Sequence, residues 1–87
     1  MNEKELDKIL QEIKELLIVK NKKYGEKNIL KFGEKGVVVR SSDKIERLIQ
    51  LVWNNEKGTN DENIDDTWKD LAGYVVIGLM VQRKVFE

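Results

Sequence analysis

From Leu71 to Val81 the chain carries no charged residue, and Val75, Val76, Ile77, Leu79, Met80 and Val81 leave a helix there apolar on all sides. Such a helix has to be covered on every side. The whole chain has 87 residues, and one domain of that size buries only about 60–65% of its unfolded surface. A single protomer can hardly supply the cover, and association of several copies is the simplest remedy. A membrane is not the expected solvent, because a span needs ~20 apolar residues. Gly73 and Gly78 interrupt the run, at a cost of about 1 kcal/mol each relative to Ala. Close approach of two helix backbones would offset that cost.

The rest of the chain falls into two further helical blocks. Leu6, Ile9, Leu10, Ile13, Leu16, Leu17 and Tyr24 have the one-faced period of a helix over Asn2 to Tyr24. Asn2 and Glu5 have the form of a capping box, and Gly25 suits a left-handed C-cap. Ile45, Leu48, Ile49 and Val52 predict a second helix from about Asp43 to Asn54, and the third runs from about Asp61 to Val85. Between the first two, Gly33, Gly36 and the short run Val37 to Val39 predict an ordered loop over Glu26 to Ser42. The fold expected is one all-α domain over residues 1–87. Its three-helix protomer would form a four-helix-bundle-like homo-oligomer, a homodimer or homotetramer.

Composition removes several chemistries. There is no His and no Cys, which excludes a Ser-His-Asp triad, a thiol nucleophile, disulfides and zinc held by those residues. Carboxylates, cations, hydroxyls and an oxygen-bound metal such as Mg²⁺ remain. Lys+Arg and Asp+Glu balance at 16 each, which argues against a generic DNA-binding protein. Charged residues from Met1 to Lys8 argue against a signal peptide, so a cytoplasmic location is expected.

The balance hides a segregation. Residues 20–40 carry Lys20, Lys22, Lys23, Lys27, Lys31, Lys35 and Arg40 against Glu26 and Glu34. Residues 54–70 carry Glu56, Asp61, Glu62, Asp65, Asp66 and Asp70 against Lys57 and Lys69. Glu62, Asp66 and Asp70 are spaced to stack on one helix face, where like charges repel. Acids in a first helical turn are favoured by the macrodipole, but Asp70 lies too deep for that benefit. It needs a partner from elsewhere, either a Lys or Arg of the second helix or a divalent cation. Asp43 and Glu46 read equally as a capping box opening the second helix or as further metal ligands. Lys20, Lys23 and Tyr24 read either as a solvated helix end or as a phosphate site with a stacking ring. Trp53 and Trp68 are expected in the core.

The succession Lys20 to Gly25, Phe32, Arg40 with Asp43, Lys44, Arg47 and Leu48, and Asp66 to Ala72 with Tyr74 resembles nucleotide modification associated domain 1 of phages and prokaryotes. The resemblance spans roughly residues 16–82. That domain in turn looks like a relative of the MazG-type all-α nucleoside triphosphate pyrophosphatases, which bind Mg²⁺ through E-x-x-E and E-E-x-x-D motifs. Asp43-x-x-Glu46 resembles the first motif, and Asp66 to Asp70 the second, with Thr67 in place of its second Glu. The resemblance implies a Mg²⁺-dependent (or Mn²⁺-dependent) nucleotide pyrophosphohydrolase acting in nucleotide modification or pool sanitation, or a non-catalytic nucleotide-binding module. Metal would be held by Asp43, Glu46, Glu62, Asp66 and Asp70, with Glu46 and Asp70 catalytic. Lys20, Lys23, Tyr24, Arg40, Lys44 and Arg47 would bind the nucleotide. A purely structural helical oligomer is the remaining expectation.

Overall fold

A computed structural model describes residues 1–54 and 63–86. The described chain is helical, with no strand among these residues. Helix α1 runs Glu3–Tyr24. The Asn2 side chain accepts a hydrogen bond from the Glu5 backbone N–H at 3.1 Å, which satisfies one of the unpaired donors of the first turn. Glu3 and Glu5 stand in that turn and Lys22 and Lys23 in the last, each sign matching its end of the helix dipole. Gly25 ends α1 at φ +76°, a conformation costly for any residue with a Cβ.

The predicted loop over Glu26 to Ser42 is instead mostly helix. A short helix α2, Glu26–Leu30, is followed by α3, Gly33–Leu48. Its glycines mark a bend and a tight contact rather than a loop. Gly33 opens α3 at φ +60°, and a Cβ on Gly36 would lie 2.8 Å from the Cβ of Phe32. The helix cost of Val37 to Val39 is below ~0.7 kcal/mol per residue. Burying Val37 outweighs it, at ~1.5–3 kcal/mol for a fully covered aliphatic side chain. Asp43 therefore sits inside α3, where it caps nothing.

After Leu48 the helix widens into a π-helical turn, Ile49–Trp53, closed by the Asn54 N–H donating to the Ile49 carbonyl at 2.9 Å. The wider turn shifts the phase of everything after it. Leu48 and Leu51 become the buried pair, Ile45, Ile49 and Val52 remain largely exposed, and Trp53 is turned outward with 84% of its surface accessible. Trp68, also expected inside, is about half exposed.

Helix α4 runs Ile64–Gln82, capped by the Asn63 side chain accepting from the Asp66 N–H at 2.7 Å. It packs chiefly on α3 and more sparingly on α1. Against α3, Gly78 faces Val37, with room for a Cβ at 3.6 Å; against α1, a Cβ on Gly73 would lie 3.2 Å from Leu17 Cδ2. Gly73 thus serves a close approach within one protomer, whereas Gly78 could carry a Cβ. The deepest residue is Thr67, fully enclosed, whose hydroxyl donates back to the Asn63 carbonyl at 2.9 Å. Helix α1 contributes no buried residue at all. No helix among the described residues is long and apolar enough to cross a membrane.

Candidate functional site

An open groove of about 1200 Å³ lies where α1 crosses α4. Leu10, Ile13, Leu17, Val76, Ile77 and Met80 line its apolar length, and Lys20, Asn21, Tyr24, Arg40, Lys69 and Asp70 bring the polar groups. Its volume exceeds the ~300–1,000 Å³ of most small-molecule pockets.

The polar part is organised around Asp70. Its carboxylate takes the Lys20 ammonium at 2.6 Å and the Lys44 ammonium at 3.4 Å, with only 15% of the Asp70 side chain exposed. Three helices thus meet at one side chain. Hydrogen bonds of this charge-assisted kind are roughly twice as strong as neutral ones, and a half-buried carboxylate has to have them. The acid that the helix dipole could not account for has found its partners in lysines of α1 and α3. On the other side of the Leu17–Gly73 contact, Lys69 pairs with Asp65 at 3.0 Å and reaches Glu12 at 3.5 Å. The hydrogen bond that Lys69 donates to Asp65, the field of both carboxylates and the weaker bond to Glu12 raise the Lys69 pKa above the ordinary 10.5, against an opposing desolvation.

The carboxylates expected to share a metal are dispersed. Glu46 lines a separate, smaller groove of about 380 Å³ between α3 and α4, together with Ser41, Ser42, Ile45 and Tyr74. Lys44 points to Asp70 while Glu46, two residues on, occupies a different side of the same helix. Asp43 is exposed on α3. Asp66 is exposed in the first turn of α4, so the helix dipole suffices to explain it. Glu62 lies outside the described residues. Among the described residues no three acidic side chains are grouped to hold a metal ion. Thr67, which stands where the resembled motif has a Glu, is sealed inside, and a carboxylate there would be a buried charge.

The cations fare differently. Lys20, Arg40 and Tyr24 do line one groove, and Lys44 reaches the carboxylate within it. Arg47 is half-buried and donates to Gln50 at 3.3 Å. Lys23 turns away and stacks its ammonium over the Tyr24 ring, 5.4 Å from the centroid. Sequence reasoning missed Glu12, whose link to Lys69 joins residues far apart in the chain; the Asp65–Lys69 spacing was the one visible sign of that pair. No family model matches the chain, and neither a curated protein nor a solved structure is significantly similar to it.

Proposed function

We propose that this chain is a nucleotide-binding helical domain that works as a homo-oligomer, in line with its resemblance to nucleotide modification associated domain 1. The observation that carries the reading is the meeting of Lys20 and Lys44 at Asp70, in the groove that Arg40 and Tyr24 also line. A phosphate entering the groove can take a further donor of the Lys20 ammonium, which has three, while Asp70 keeps its partners. Arg40 adds a fork suited to phosphate oxygens. The Tyr24 ring, largely exposed beside them, offers a face for a base.

Self-association rests on area. The chain exposes 7088 Å², against about 5300 Å² for a compact monomer of this mass. The surplus of roughly 1800 Å² compares with the ~800 Å² per partner of a standard interface and with the larger obligate ones. Leu10, Ile18, Val75, Val76 and Leu79 are among the exposed apolar side chains of α1 and α4. Binding without hydrolysis is the favoured form, because Glu46 and Asp70 belong to different grooves.

Calorimetric titration with a nucleoside and its mono- and triphosphates tests this. Triphosphates should bind most tightly, and Lys20→Ala should weaken them about 10–100-fold, the worth of a hydrogen bond to a charged group. Equal binding of nucleoside and triphosphate, or none, would defeat the nucleotide reading. Pyrophosphate released on adding Mg²⁺ or Mn²⁺ would move the assignment to a pyrophosphohydrolase.

A further inference from the structure

The elbow between α1 and α3 shares Tyr24 with the groove but concentrates charge and a second exposed ring outside it. Lys22, Lys23, Lys27, Lys31 and Lys35 are all exposed, four of them at every fourth position. None of the five takes part in an ion pair among the described residues. The two acids of the segment are turned to other tasks: Glu26 accepts from Asn21 at 3.3 Å, and Glu34 lines the α3–α4 groove. Tyr24 and Phe32 bracket α2, 62% and 69% exposed. Each ring has a neighbouring lysine over it, Lys23 at 5.4 Å and Lys31 at 5.5 Å from the centroids.

We infer that this elbow is a binding surface for single-stranded nucleic acid. Ammonium groups beside accessible aromatic faces are what a single strand needs: cations track its phosphates and rings stack on its unpaired bases. A duplex keeps its bases stacked on each other and cannot use Tyr24 or Phe32, so the neutral sum of the chain and a local preference for single strands are compatible. An anionic membrane fits less well. The apolar side chains of α2, Ile29 and Leu30, are half-buried against the protein rather than outward, and two rings alone are a small insertion area beside the apolar face of an interfacial helix. Gly25 and Gly33, both at positive φ, set the bends on either side of α2, so the rings and lysines are presented by the backbone itself.

Fluorescence anisotropy with a labelled oligo-dT of about twenty nucleotides, long enough for such a site, tests the inference on the full chain. Five phosphate contacts predict a log–log salt slope of about −3.5, so affinity should fall roughly 100-fold from about 50 to 200 mM salt. The matched duplex should bind at least about tenfold more weakly. Phe32→Ala should cost roughly tenfold, the effect of losing one stacked base, with Phe32→Trp restoring it and circular dichroism showing both folded. Lys27→Glu with Lys31→Glu should abolish binding while leaving nucleotide titration at Lys20 and Arg40 unchanged, since neither lysine lines that groove. Four results would overturn the inference: no binding at low salt, equal binding of duplex and single strand, indifference to Phe32→Ala, or tighter binding to phosphatidylserine vesicles than to the oligonucleotide. Failure of the nucleotide titration alone would leave it standing.

Discussion

Helix α4 has two neighbours and treats them differently. Toward α3 it closes a seam: Val37 and Leu48 of α3 are buried, with Val37 facing Gly78. Toward α1 it makes one tight contact, Gly73 against Leu17, flanked by the ion pairs of Asp70 and Lys69 and otherwise open. No residue of α1 is buried. The α3–α4 seam therefore holds the protomer together, while the α1–α4 groove leaves apolar surface and charged groups exposed.

The comparison breaks most visibly if the open side is in truth closed. Sedimentation should find a dimer or larger assembly at micromolar protein, and Val76→Glu, placed on the exposed groove wall, should shift it to monomer. A wild-type monomer would mean that the apolar groove is not an interface. Next in size, Leu48→Ala should cost about 2–4 kcal/mol in urea unfolding, the usual toll of a cavity in a packed seam. The same truncation at exposed Leu10 in a monomeric background should cost under ~1 kcal/mol; equal losses would erase the distinction between the two sides. Asp70→Asn should lower stability by about 1 kcal/mol, a figure discounted because Lys20 is nearly half exposed. A higher melting temperature would show that repulsion within the acidic stripe outweighs the lysine contacts.

Finer still is the glycine pair. Gly78→Ala has ordinary van der Waals room and should gain about 0.5–1 kcal/mol of helix propensity. Gly73→Ala meets Leu17 at 3.2 Å and should gain less or lose. Reversal of that order would mean that α3, not α1, approaches α4 more closely at its glycine. The smallest effect concerns pH. The raised pKa of Lys69 makes its pairing with Asp65 and Glu12 contribute fully below pH 10.5 and fade as pH climbs past the raised value. The melting difference between wild type and Lys69→Met should accordingly vanish at strongly alkaline pH.

Much of this fold was written locally. The period of apolar residues and the Asn2 and Gly25 caps define α1 within one residue, because a helix bonds to its own neighbours and its ends are settled by residues a few positions away. The Glu26 to Ser42 segment misled because glycine and β-branched residues weaken a helix by amounts that burial of one valine can outweigh. Trp53 misled because a π turn rotated the face that local periodicity had assigned to the core, whereas Trp68 stands on a half-exposed face of α4 that only the packing of the helices decided. For the site, the sequence announced that Asp70 needed a partner and that cations were plentiful, but not which one would reach it.

The all-α class, the capping of α1 and the segregation of charge came from the order of residues alone, since each depends on separations of a few positions. That Asp70 meets Lys20 and Lys44, that Glu46 belongs to another groove, and that α1 keeps its apolar face open were decided only when the helices crossed. Contacts between residues fifty positions apart depend on crossing geometry, and spacing along a chain carries no record of it.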